Sequence, residues 1–347
     1  MSTVFVYEYC TALGVGREPC DPAHSLWREG NAMHAACVAD FERIPGVTAT
    51  TMTGVRPTAE YDTFARLVAQ SDATLVIAPE TDRLLSMRLY RAVEAGAKRL
   101  LNSAETATNV AGDKEHLPDF WRRAGVPTPG VLPFDGDPLD FPFVVKHRFG
   151  AGSVAVRRID TRTEWEALRR AGQLDGVPLG QLLAQPFVPG VAASVSFLVG
   201  PNCVVPLLPG YQRIADDGRF AYFGGEIPLP DGLTLRAVKL ARRAMDAVPG
   251  LAGYVGVDLI LGDAADGSAD FAIEINPRLT TSYVGLRAMT DDNLMAKLWE
   301  VCAGAADVRV RWNDGSVRFT PDGTVQRFVS PTRERGTQRF VRGVGGK

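Results

Sequence analysis

The sequence predicts a chain of α/β and α+β class, and three observations predict it. Strand-like and helix-like runs alternate over residues 1–111, which argues for a small parallel α/β domain. A strand pair with glycines at its tip occupies 142–159, PFVVKHRFGAGSVAVRRI. A second hairpin pairs GYVGVDLIL (253–261) with FAIEIN (271–276) and carries one acid in each strand, Asp258 and Glu274.

In order, 3–9 (TVFVYEY) reads as a buried strand with Glu8 near its carboxyl end. The loop TALGVGREPCDP follows. Ligands of open α/β sheets gather at strand carboxyl ends, so Glu8 to Gly16 is a site-facing edge or else an ordinary surface loop. Helical spacing covers 25–43, a strand lies near 47–53, and a helix is expected at 58–70. ATLVIAP (73–79) is a continuous apolar run, as in a buried parallel strand, with Glu80 just beyond it. A helix over 84–96 ends at Gly96, a short strand at 98–102 follows, then a short helix at 103–111.

Lys114, in GDKEHL, opens a helix reaching Arg123 and on its own reads as a solvated lysine. The 142–159 hairpin is more specific. Its tip, Gly150, Ala151, Gly152 and Ser153, could wrap phosphates through backbone N–H groups, because glycine permits close approach. No helix follows the tip, so this is neither a Walker A loop nor a Rossmann fingerprint. Lys146 ends the first strand, facing the same space or solvent. Thr163 with Glu166 forms a capping-box pattern for a helix over 163–171. In QPFVPG (185–190), Gln185, Pro186, Phe187 and Val188 offer free backbone groups beside apolar side chains, suited to a flat heterocycle edge or to a stiff connection. Irregular, glycine-rich chain is expected over 210–230, with Arg213 and Glu226 in it, followed by a helix at 232–247. A last helix is expected at 291–304, and the Arg-rich stretch 313–347 reads as a weakly packed tail.

The acid-bearing hairpin carries the chemistry. Glu274 lies among apolar neighbours, and a buried carboxylate must be paired or bind a cation. Asn276 repeats its direction two residues on, Pro277 ends the ladder, and Arg278 follows. Hard oxygen donors in this arrangement suit Mg²⁺ or Mn²⁺ held together with phosphates. The alternative is two structural acids with Arg278 bridged to one of them.

Composition narrows the classes. The 38 basic and 40 acidic residues balance to −2, so nothing global argues for nucleic acid or an anionic membrane surface. No apolar run approaches the roughly 18–20 residues of a membrane helix, and the start lacks a basic leader region. Five cysteines without a CxxC pair fit free thiols in a reducing cytoplasm.

Five motifs in order, DK (113–114), VVK with its glycine loop (144–153), QPFVPG (185–190), VGVDL (255–259) and EINPR (274–278), resemble the ATP-grasp superfamily of carboxylate–amine ligases over roughly 1–305. The resemblance implies a pre-ATP-grasp domain (1–111), a lid subdomain (112–188), a larger antiparallel subdomain (189–312), a basic tail (313–347), and a homodimer through the N-terminal domain. It implies that Lys114 and Lys146 hold ATP phosphates under the 150–153 loop, that the backbone at 185–188 reads adenine, and that Asp258, Glu274 and Asn276 hold Mg²⁺. Lys146 and Arg278 are the implied catalytic residues, Arg278 facing the transferred phosphate and the carboxylate. Two positions depart from the common pattern. Gln185 stands where an acid is frequent, and Ala192 replaces the usual ribose-binding acid, so ribose contacts are unassigned.

FVYEY (5–9), SLWREGNAM (25–33), TLVIAPETD (74–82), FGGEIP (223–228) and INPRLTTSYVGLR (275–287) resemble the tyramine–L-glutamate ligase family of methanofuran biosynthesis. That implies ATP-driven joining of a glutamate γ-carboxylate to an aromatic amine, both small molecules. Thr280, Thr281 and Ser282 are then expected to hold an amino acid through hydroxyls, with Arg213 for a carboxylate and Glu8 and Glu226 for an ammonium. The competing expectations are a D-alanine–D-alanine-like or other amino-acid ligase, and an ATP-binding sensor without turnover.

Overall fold

The structure, a computed structural model, describes residues 1–18, 20–21, 23–132, 140–152 and 154–328. β1 (Ser2–Glu8) lies between β2 (Val47–Thr51) and β3 (Ala73–Ile77) in a parallel sheet. Val4 to Tyr7 and all of β3 are buried, as a sheet covered on both faces requires. The covering helices are α1 (Tyr9–Leu13), α2 (His24–Glu42), α3 (Pro57–Gln70) and α4 (Leu84–Glu94). The short helix α1 replaces the expected loop start. Glu8 caps it, accepting hydrogen bonds from the backbone N–H of Cys10 (3.1 Å) and Thr11 (2.7 Å). Residues 98–102 form one bridge, Thr74 to Leu100, instead of a strand. There the Asn102 amide stands in for strand pairing: it accepts from Val76 N–H (2.8 Å) and donates to Val76 C=O (2.9 Å).

α5 (Glu105–Gly112) and α6 (Leu117–Arg123) pack on the large C-terminal sheet. Trp121 is buried there and donates its indole N–H to Ala244 C=O (2.9 Å). The segment from 112 to 126 therefore belongs with the larger subdomain, and the expected lid is shorter than 112–188. The small unit comprises β4 (Phe143–His147), β5 (Arg157–Ile159), α7 (Arg162–Ala171), the two-residue strands β6 (Gln173–Leu174) and β7 (Val177–Pro178), and β8 (Leu182–Pro186). Its sheet runs β5-β4-β8, antiparallel. The N-cap of α7 lies two residues earlier than expected: Thr161 caps the helix and Glu164 closes the box. TRTEWE holds two overlapping capping patterns, and the earlier one places Trp165 and Leu168 on one buried face.

The large sheet contains β9 (Val191–Val199), β10 (Val204–Pro206), β11 (Gly210–Ile214), β12 (Tyr222–Ile227), β13 (Gly253–Leu261), β14 (Phe271–Asn276), β15 (Ser316–Phe319) and β16 (Val325–Phe328). Their order is β14-β13-β9-β11-β12-β15-β16, with β10 on β9. α8 (Asp231–Asp246) covers one face with α5 and α6. α9 (Ser282–Leu286) and α10 (Leu294–Cys302) cover the other, in one continuous core with β1, β3 and α2. The N-terminal and large units thus share apolar packing.

Two sequence expectations are corrected in this sheet. The 210–230 stretch is a hairpin, β11–β12, not irregular chain. Its glycines allow β15 to approach: a Cβ on Gly224 would lie 1.9 Å from Phe319 O. Residues 316–328 hold β15, paired between β12 and β16, and the edge strand β16, with Val317 and Phe319 buried, so this part of the expected tail is packed. The remainder, 329–347, lies outside the described residues. Gly224 also has φ +102°. Gly224→Ala is therefore expected to cost at least about 2 kcal/mol in urea unfolding. A loss within experimental error would contradict this packing.

Candidate active site

β4, β8, β13, β14 and the start of α9 surround a cavity of about 300 Å³. On β13 and β14, Asp258 and Glu274 are direct cross-strand partners, as are Gly256 and Asn276, with a register irregularity just past Asp258. The period-two alternation turns all four into the cavity. Asn276 Nδ2 donates to Asp258 Oδ2 (3.0 Å), and Gln212 Nε2 donates to Asp258 Oδ1 (2.9 Å). The Asn276 amide oxygen remains as a third hard donor beside two carboxylates. Burial and the facing Glu274 charge push the Asp258 carboxyl up to about 7.

The basic groups come from two other elements. Lys114 precedes α6, is buried, and reaches Glu274 Oε1 at 3.0 Å and Gly150 O at 2.7 Å. Lys146, buried on β4, faces the same acids, and burial pushes its amine down to about 8 against the pull of Glu274. An acid held up, Asp258, and a lysine held down, Lys146, mark a site whose charges are incompletely balanced. A divalent cation on Asp258, Glu274 and Asn276 fits this donor set, and an anionic phosphate chain fits the lysines.

Gly150, Ala151 and Gly152 line the cavity; Ser153 lies outside the described residues. A Cβ on Gly152 would lie 2.7 Å from Leu26 Cδ2 of α2, so the tip rests on the N-terminal domain. Arg148 ties this loop down further by bonding both Asp113 oxygens (2.8 and 2.6 Å). Gln185, Pro186, Phe187 and Val188 line the cavity wall, with the Gln185 amide turned to Pro129 C=O (3.4 Å).

Arg278 lines the cavity, and its Nε donates to Glu80 Oε1 (2.8 Å). The expected alternative, a bridge from Arg278 to one of the hairpin acids, is replaced by a partner from the N-terminal domain. Thr280, Thr281 and Ser282 also line it. Two of them belong to a hydroxyl cluster: Thr280 and Ser282 lie 2.7 Å apart, and Tyr254 OH donates to Ser196 Oγ (2.8 Å) beside them.

Three weaker expectations are redirected. Glu8 is not among the lining residues and is used as the α1 cap. Glu226 pairs with Arg318 (2.9 Å) on the neighbouring strand. Arg213 points away: on β11 the cavity takes Gln212 and Ile214, and Arg213 is exposed. Sequence reasoning missed Gln212, Tyr222 and Glu29, all of which line the cavity. Alternation along GYQRI signalled Gln212 or Arg213, but not which one.

The class follows from this fold and cavity together with two family models. The ATP-grasp domain model matches residues 111–282, and the pre ATP-grasp 3 domain model matches 34–108. The chain belongs to the ATP-grasp superfamily. It is 31% identical over 216 residues to the tyramine–L-glutamate ligase of Methanocaldococcus fervens, covering 62% of each chain. It is 29% identical over 213 residues to a D-alanine–D-alanine ligase of Hydrogenovibrio crunogenus, covering 56% of this chain and 66% of that one. The chain spans about three fifths of the length of the tyramine–L-glutamate ligases it matches. Among solved structures, an ATP-grasp superfamily protein from Archaeoglobus fulgidus superposes with TM-score 0.68 at 28% identity, covering 92% of each chain. The L-amino acid ligase of Bacillus licheniformis shares the fold at TM-score 0.62 and 16% identity, over 92% of this chain and 79% of that one.

Proposed function

We propose that this chain is an ATP-dependent carboxylate–amine ligase, joining the γ-carboxylate of L-glutamate to tyramine or a related amine. The observation that carries the reading is one shared cavity. In it, Asp258, Glu274 and Asn276 face Lys114 and Lys146 beside the 185–188 wall. The similarity to tyramine–L-glutamate ligases supports the substrate pair.

In this reading a substrate carboxylate oxygen attacks the γ-phosphorus of ATP, giving an acyl phosphate and ADP. The amine nitrogen then attacks the acyl carbon, phosphate leaves, and the ammonium proton passes to solvent or phosphate. Asp258, Glu274 and Asn276 would hold Mg²⁺, which when bound would supply positive charge against the phosphates. Lys114 and Lys146 hold phosphate oxygens, and the Gly150–Gly152 tip covers them. Arg278, held by Glu80, stabilises charge on the transferred phosphate and the tetrahedral oxyanion. The contribution of these groups is mostly orientation and electrostatics.

The test is ADP release with Mg²⁺–ATP, L-glutamate and tyramine, omitting each in turn, with products read by mass spectrometry. Release that needs both, with a condensed amide, is the expected result. Turnover only with other amino acids or amines would keep the ligase and replace its substrates. ATP binding without ADP release across a broad panel would favour a sensor.

A further inference from the structure

Glu29 is the cavity carboxylate that the mechanism above leaves unused. It stands on α2, three residues after Leu26, the side chain beneath Gly152, and helical spacing puts both on one face. It enters the cavity beside Arg278 and Thr281 and accepts a 3.1 Å hydrogen bond from Thr281 Oγ1. Among the described residues no basic side chain is ion-paired with it. The other N-terminal acids near the site are committed, Glu8 to the α1 cap and Glu80 to Arg278. Burial holds the Glu29 carboxyl above its ordinary value, against the Thr281 hydrogen bond and the Arg278 charge. A half-buried carboxylate opening into a reaction cavity is completed by a cation that donates hydrogen bonds. The Asp258 and Glu274 pair already offers a divalent cation its site, on other strands.

We propose that Glu29 binds the primary ammonium group of a substrate beside Arg278 and Thr281. The proposal rests on the amide-ligase reading. It assigns to α2 the ammonium recognition that the sequence placed on Glu8 and Glu226. The ammonium has two sources, the α-ammonium of the amino acid or the acceptor amine, and the experiment separates them.

The test uses the full chain with Mg²⁺–ATP, L-glutamate and tyramine, and with glutarate, which lacks the α-ammonium. Loss of a charge-assisted hydrogen bond should make Glu29→Gln raise the KM for one ammonium-bearing substrate by about ten- to a hundredfold. The KM for ATP should hold, which shows that the fold is intact. A rise confined to glutamate, with discrimination against glutarate lost, assigns the α-ammonium. A rise confined to tyramine assigns the acceptor. Glu29→Asp keeps the charge and should recover part of the loss. Unchanged KM values for both substrates in Glu29→Gln would overturn the proposal. If the wild-type chain turns over neither compound, the substrate reading fails separately. Thermal-shift measurements with a panel of amino acids and primary amines then decide about Glu29. A wild-type shift lost in Glu29→Gln supports its role; no shift, or equal shifts in both proteins, overturns it.

Discussion

Glu274→Gln is expected to lower ATP turnover by at least about a hundredfold while the protein stays folded, the scale of losing one pre-organised charge at a phosphoryl-transfer site. The substitution keeps shape and removes charge. Glu274 faces Asp258 across the ladder and, among the described residues, is ion-paired with Lys114 alone, at 3.0 Å. Losing that pair is offset in part by relief of the repulsion between Glu274 and Asp258, whose carboxyl is pushed up to about 7 by burial first and by the Glu274 charge second. Turnover and circular-dichroism melting, read together, separate chemistry from folding. Near-normal turnover in a folded variant would remove Glu274 from the metal set.

Asp40→Ala is expected to produce the largest loss of stability, about 3–5 kcal/mol, because it strands a partly buried guanidinium. Asp40 is 2% exposed on α2 and accepts two hydrogen bonds from Arg287 (2.8 and 2.6 Å) and one from Tyr283 OH. Asn293 Nδ2 also donates to its backbone carbonyl (2.6 Å). These contacts pin the N-terminal domain to the α9 region, next to the Thr280–Ser282 wall. Urea unfolding measures the loss. The double variant Asp40→Ala, Arg287→Met should recover part of it, since removing both partners leaves no orphaned charge. A single-variant loss below about 1 kcal/mol would show that the pair is a solvated surface contact.

The acid-bearing hairpin, with its acids on one face, was legible because its signals are local. Asp258, Glu274 and Asn276 follow a period-two pattern within two short strands, and one glance at the pleat puts them on one face. Lys114 and Lys146 were not legible alone, since a strand or helix-start lysine is ordinarily solvated; only their place in an ordered motif set singled them out. The errors have equally specific causes. Arg213 and Gln212 differ by one residue, and the faces of β11 are decided by its partners, not by its own sequence. Thr161 and Thr163 both satisfy a capping box, and burial of Trp165 and Leu168 selects the first. The glycines at 224 and 225 read as loop because nothing local reveals that Phe319 packs on them. Glu29 was invisible for the strongest reason: its partner Thr281 is 252 residues away, so no window of sequence holds both.

The central claim, that a carboxylate is activated by phosphorylation in the cavity between Asp258, Glu274, Lys114 and Lys146, has a direct chemical test. An amino acid that supports turnover, labelled with ¹⁸O in its reacting carboxylate, is supplied with Mg²⁺–ATP and the amine, and the released phosphate is analysed by mass spectrometry. Transfer of one labelled oxygen to phosphate for each amide formed is the predicted result. Unlabelled phosphate accompanying amide formation would contradict it, because the carboxylate oxygen would then never have been bonded to the γ-phosphorus.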